Sequence, residues 1–386
     1  MKLRFPPGFL WGASISAYQT EGGINNNDWA EIFPAGKACD HYHRFEEDFS
    51  WLEKLNLNSF RFSVEWSRIE PQEGVFNQKA ISFYSRYLKE LKKRRIKTFL
   101  TLWHFTTPLW LSKKGGWKNP KSVFYFSRFS EKVFFALNPW VDFWITINEP
   151  LVYAVLAYFH QRWPPQKKNL LSFFRVIFNQ IKAHKKVYYL FHQKKDSVKV
   201  GVANNNQLFL PYSGQPLEYL SCLIADWFQN QFFLSRIKKE LDFIGLNYYF
   251  RFLVKFPFRL EMTRGNNEII SDIGWPIYPQ GIYFLLLRLK KYHLPIYITE
   301  NGIADKDDKL RKEFIREHLF WIHQAIQKGV DVRGYLYWSL MDNFEWDYGF
   351  DPRFGLLEID YQTFSRLPRP SAYYYQKIAQ NNALEY

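Results

Sequence analysis

Short apolar runs rich in β-branched and aromatic residues alternate along the chain with stretches of helical period. Eight of these runs read as strands: 10–17, 60–63, 97–102, 143–147, 200–203, 243–247, 296–299 and 334–338. Between them, apolar residues recur at spacings of three and four. One set is Tyr42, Phe45, Phe49 and Leu52, and a second is Ile81, Tyr84, Leu88 and Leu91. A third is Ile177, Ile181, His184 and Tyr188, and a fourth is Ile315, Leu319, Ile322 and Ile326. Such spacing puts each set on one helix face, and Gly329 stands where the last helix would stop. Strand–helix alternation predicts a parallel sheet, and eight repeats of the unit predict a closed (β/α)8 TIM barrel. An open doubly wound sheet usually carries a Gly-rich turn after its first strand. Here Gly22 and Gly23 lack the remaining glycine. No Gly/Ser linker or low-complexity stretch divides the 386 residues, so one domain over 1–386 is expected.

A barrel makes a demand on chemistry: reactive groups should sit just past the C-terminal ends of strands. Polar residues do fall there. His104, Glu149, Asn247 and Glu300 close or follow strands three, four, six and seven, and Glu345 lies in the loop after the eighth. The segments Thr146-Ile147-Asn148-Glu149-Pro150 and Ile298-Thr299-Glu300-Asn301-Gly302 share one design, an apolar strand ending in a carboxylate flanked by an amide. Strands four and seven lie across the barrel from each other, so the two carboxylates can face one another. A Glu after a strand more often pairs with an Arg or caps a helix. A matched pair on opposite strands instead suits glycoside hydrolysis, in which two carboxyl groups flank one bond.

Composition narrows the alternatives. Lys and Arg number 52 against 37 Asp and Glu, a net charge of +15, but the charges are scattered in short groups and suit a solvated surface better than a nucleic-acid face. Two cysteines, Cys39 and Cys222, make neither a disulfide framework nor a zinc pattern. The N-terminus lacks the apolar core of a signal peptide, and no apolar run is long enough to span a membrane, so a cytoplasmic location is expected.

At these residues the sequence resembles glycoside hydrolase family 1, the β-glucosidase and β-galactosidase group. The resemblance runs from Phe9-Leu10-Trp11-Gly12 to Arg353-Phe354-Gly355-Leu356. It passes through Gln19-Thr20-Glu21-Gly22, Cys39-Asp40-His41-Tyr42, Phe60-Arg61-Phe62-Ser63, Trp66-Ser67-Arg68, Gly245-Leu246-Asn247-Tyr248-Tyr249, Trp338-Ser339-Leu340 and Asp342-Asn343-Phe344-Glu345-Trp346. It implies a retaining, metal-free and cofactor-free two-step hydrolysis of a small-molecule β-glycoside or oligosaccharide, with Glu149 as acid/base and Glu300 as nucleophile. Arg61 and Tyr249 match positions beside the nucleophile. Gln19, His104, Asn148 and Glu345 match contacts to sugar hydroxyls, Asn148 serving the 2-OH. Trp338 matches the stacking floor, Trp346 and Trp117 an indole N–H and a wall, and Asn247 and Phe354 supporting positions.

Three departures qualify the resemblance. The family's His-Trp-Asp reads His104-Phe105-Thr106 here, so an indole contact is lost or supplied by another side chain. The chain is short for the family, most clearly between Ala203 and Asp242, and the loop from His160 to Pro165 differs; a more open or reshaped leaving-group site is expected. The positions that hold a sugar phosphate in some members are Glu345, Pro352 and Phe354 here, which implies an unphosphorylated substrate. The same residues would also serve a transglycosidase or a catalytically silent sugar-binding barrel, although a silent barrel has no chemical need for both carboxylates. A nucleic-acid binder rests on the charge alone. The choice among glucose, galactose, fucose and mannose stays open, as does the oligomeric state.

Overall fold

The computed structural model describes residues 2–265 and 268–386. Eight parallel strands close into a barrel: β1 (Leu10–Ser14), β2 (Ser59–Ser63), β3 (Lys97–Trp103), β4 (Phe143–Asn148), β5 (Val200–Asn205), β6 (Phe243–Asn247), β7 (Ile296–Asn301) and β8 (Val332–Trp338). Each pairs with its neighbours in chain order, and β8 returns to β1. All eight expected strands are present. Several run further at their C-terminal ends than the apolar pattern indicates, because Asn148, Asn204, Asn205, Glu300 and Asn301 continue the strands. The first strand is the exception: it stops at Ser14, and Ala17–Thr20 forms a single helical turn that carries Gln19.

Among the described residues, ten α-helices of six residues or more cover and elaborate the barrel: α1 (His41–Lys54), α2 (Gln78–Lys93), α3 (Ser122–Leu137), α4 (Pro150–Tyr158), α5 (Leu170–Lys194), α6 (Pro216–Asp226), α7 (Phe232–Ile237), α8 (Gln280–Leu289), α9 (Arg311–Gln327) and α10 (Pro370–Asn381). The four helices expected from spacing are α1, α2, α5 and α9. Their inward faces are largely those sets; Ile177, Ile181 and His184 of α5, for example, are buried. Asn77 and Asn169 cap α2 and α5 by accepting from backbone N–H groups of the first turn. No helix among the described residues is long and apolar enough to cross a membrane.

The N-terminal end of the barrel is plugged. Phe99, Phe143, Phe243 and Tyr297, from four different strands, meet inside it with Ile145, Ala203 and Leu336. Phe99 and Phe143 stack with centroids 4.3 Å apart and planes 8° apart. One addition frames the other end. Leu208–Pro211, Arg251–Lys255 and Arg259–Glu261 form a three-stranded sheet beside β5 and β6. Lys2–Arg4 pairs with Ala383–Glu385, tying the two ends of the chain together.

Candidate active site

Strict alternation along a strand would turn the key residues away from the barrel axis. Tyr297 of β7 points into the plug, so Glu300, three positions on, would face outward. The pairing of β7 with β6 shifts register between Ile298 and Glu300, and the shift brings Glu300 inward. The same device acts on β4. Phe143 and Ile145 line the interior, and a register shift between Ile145 and Asn148 brings Asn148 inward. Glu149 then leaves the strand with φ 41° and ψ 61°, and Pro150 begins α4 directly after it. A non-glycine residue held in the left-handed region carries strain that its surroundings must support.

The two carboxylates receive different partners. The Arg61 guanidinium, 1% exposed on β2, reaches across the barrel and donates to Glu300 Oε1 through Nη1 and to Asn148 Oδ1 through Nη2 at 2.6 Å. On the other oxygen of Glu300, the Tyr249 hydroxyl donates at 2.6 Å. Burial, and then the charge of Glu300, pushes the Tyr249 phenol well above its ordinary range, so it stays a donor. Glu149 faces amides instead of cations. Its Oε1 accepts from Asn247 at 2.7 Å and from Asn205 at 3.1 Å. No protein group among the described residues bonds Oε2. Burial, and then the negative charge of Glu300, pushes the Glu149 carboxyl up to about 8. The arrangement therefore separates one carboxyl that holds its proton near neutrality from one engaged by a cation and a phenol.

The other expected residues gather round this pair, with one exception. His104 Nε2 lies 3.3 Å from Asn148 Nδ2. Burial and the Arg61 charge hold its imidazole well below the usual range, so the ring is neutral. Gln19 is fully buried and donates to Glu345 Oε2 at 3.1 Å and to Asn343 at 3.0 Å. Burial, and then Glu300 and Glu149, pushes Glu345 up to about 8. Trp338 and Trp346 line the cavity, with the His104 ring near-parallel to both at 6.0 and 5.9 Å. Phe354 backs Tyr249 and Trp338 without reaching the cavity. Asn247 also accepts from Thr299 Oγ1 at 2.7 Å.

Trp117 is the exception. It does not wall the cavity: fully buried, it packs 5.2 Å from Trp103 and 5.3 Å from Phe126, behind strand β3. The helical turn Gly116–Lys118 aims it at the core, and Asn179 on α5 pins its backbone carbonyl.

Two features were not foreseen. Asn205 ends β5, which the apolar pattern closes at Ala203; the run Asn204-Asn205-Asn206 at a strand end was the available signal. Trp163, from the divergent loop after α4, packs 4.7 Å from Phe105 and 5.7 Å from Trp346. It fills space beside the lost indole but does not replace its donor, because its Nε1 donates to Asp347 at 2.9 Å.

Comparisons with known proteins bear on the family and the fold. A family model described as glycosyl hydrolase family 1 matches residues 1–238 and 233–384. The 1,4-beta-D-glucan glucohydrolase of Thermotoga neapolitana is 33% identical over 446 aligned positions, covering 99% of each chain. Those positions outnumber the 386 residues here, so the relative carries segments that this chain lacks. Among solved structures, a beta-glycosidase from Pyrococcus horikoshii superposes with a TM-score of 0.95 at 39% identity, covering 100% of this chain and 97% of that one. A beta-glucosidase from Thermotoga maritima in complex with glucoimidazole does so with a TM-score of 0.94 at 32% identity, covering 99% and 100%. With the closed barrel and the paired carboxylates, these matches lead to one conclusion: the chain belongs to glycosyl hydrolase family 1.

Proposed function

We propose that the protein is a retaining β-glycosidase, one catalytic domain that hydrolyses unphosphorylated β-glucosides foremost and β-galactosides alongside. The observation that carries this reading is the asymmetry of the two carboxyls. Glu149, holding its proton near neutrality, gives it to the glycosidic oxygen as the bond from that oxygen to the anomeric carbon breaks. A Glu300 oxygen forms the new bond to the anomeric carbon, giving a glycosyl ester and releasing the aglycone as an alcohol. Esterification removes the Glu300 charge that helped raise Glu149, so Glu149, now deprotonated, is suited to take a proton from water. The water oxygen then displaces Glu300 and restores both groups.

Asn148, held between Arg61, Asn247 and His104, is the partner for the 2-OH. Gln19, His104 and Glu345 serve other hydroxyls, and Trp338 and Trp346 present ring faces to the pyranose. A sugar phosphate is disfavoured. The cavity lining among the described residues includes no Lys, and its Arg162 is already paired with Asp347 at 2.7 Å. The relative named as a glucan glucohydrolase, and the beta-glucosidase holding glucoimidazole, support a glucose-type substrate. The test is proton NMR of the first product from aryl β-glucoside and β-galactoside. The β-anomer should form first. Initial release of the α-anomer would rule out the two-step route.

A further inference from the structure

The cavity that holds the carboxylates measures about 700 Å³, more than one pyranose ring requires. Its inner end is polar and enclosed, with Glu149 7% and Glu300 3% exposed. Its outer part is apolar and opens to solvent. The helix that starts beside Glu149 sets the pattern: Val152, Val155, Leu156 and Phe159, spaced three, one and three along α4 and its end, face the cavity together. Phe173 and Phe174, near the start of α5, form a second wall. Phe228 comes from a π-helical segment, Trp227–Gln231, in the shortened stretch between β5 and β6. Phe209, Phe252, Leu260 and Met262, on or beside the three-stranded sheet, close the remaining side. At the mouth, Phe159 and Leu170 are 51% and 62% exposed.

Polar groups in this outer part are mostly engaged with one another. Arg162 and the Trp163 indole both donate to Asp347, and Gln229 donates to the backbone oxygen of Asn205 at 3.1 Å. Among the described residues, His160, Gln207 and the Trp275 indole N–H remain in the lining without a hydrogen-bonded side-chain partner. A second sugar ring would bring several hydroxyls against hydrocarbon and lose their water. A separate apolar surface lies outside the cavity. Helix α6, whose last turn supplies Ala225 to the lining, buries Glu218, Ser221 and Cys222 and exposes Leu217, Leu220 and Leu223.

We propose that the leaving-group site takes a long apolar aglycone, so that β-glycosides of aliphatic alcohols, rather than β-linked oligosaccharides, are the preferred substrate class. This rests on the glycosidase reading above. The test is kcat/KM for methyl, butyl, hexyl and octyl β-glucosides, each below its critical micelle concentration, beside cellobiose and cellotriose. The expected result is a rise of about threefold to fourfold per methylene buried, with octyl β-glucoside well ahead of both oligosaccharides. Phe228→Asn should lower the octyl-to-methyl ratio by about tenfold or more. A flat alkyl series with cellobiose or cellotriose ahead overturns the proposal, as does an unchanged ratio in both Phe228→Asn and Leu170→Asn. If the glucosides are cleaved without any length dependence, only this inference falls. If no glycoside is cleaved, the glycosidase reading falls with it.

Discussion

At the N-terminal end of the barrel, Phe99, Phe143, Phe243 and Tyr297 meet ring against ring. A few residues further along the same strands, the interior holds Asn148, Asn247 and Glu300, with Arg61 bridging Glu300 to Asn148 and Asn247 donating to Asn148. The first end is hydrocarbon in close contact, which stabilises the fold through removal of apolar surface from water. The second buries three carboxyls, Glu149, Glu300 and Glu345, in mutual repulsion, two of them pushed up to about 8. Separating the two ends along the strands lets one element serve both purposes, and it makes their energetics separable by mutation.

The largest expected contrast is Glu300→Gln. On the proposed assignment, turnover of aryl β-glucoside falls by about 10^4-fold or more, while circular dichroism still reports a folded barrel. Next is Glu149→Gln, with an expected loss of about 10^2- to 10^4-fold on an alkyl glucoside, whose leaving group needs the proton. A nitrophenyl glycoside, with a better leaving group, should lose less. Phe99→Ala tests the opposite end: stability to denaturant should fall by about 3–5 kcal/mol, with turnover per folded molecule within about twofold. Loss of turnover per folded molecule in that variant would break the comparison.

The smallest effect sharpens it. On the proposed assignment Glu149 is protonated when it acts, so kcat/KM should fall as pH rises through about 8. The amide donors of Asn247 and Asn205 favour the ionised form and so draw its pKa down. Asn205→Ala should therefore move the alkaline limb to higher pH, with maximal kcat/KM within about tenfold. An unchanged limb would show that Asn205 does not act on Glu149, and a shift to lower pH that its amide does not favour the ionised form.

The sequence carried the barrel because its strands and helices differ in period, and each catalytic candidate stood at a strand end. It was weaker where polar residues continue a strand. Asn is a poor strand former, so the apolar pattern closed β5 at Ala203 and missed Asn205. Alternation alone also misdirects Glu300 and Asn148; the register shifts that turn them inward depend on pairing between distant strands. Trp117 lies away from its expected place for a related reason. An indole reads the same in sequence whether it faces a cavity or the core, and only the packing of Trp103 and Phe126 against it distinguishes the two. The reversed polarity of α6 shows in no single residue, since Leu217, Leu220 and Leu223 look like an ordinary buried face.

The most direct test of the central claim is to trap the ester. Incubation with an activated 2-deoxy-2-fluoro-β-glucoside, which slows the second step, followed by proteolysis and mass spectrometry should find one fluoroglucosyl group on the peptide containing Glu300. Labelling of the Glu149 peptide, or aryl glycoside turnover with no glycosyl-enzyme formed, would contradict the account.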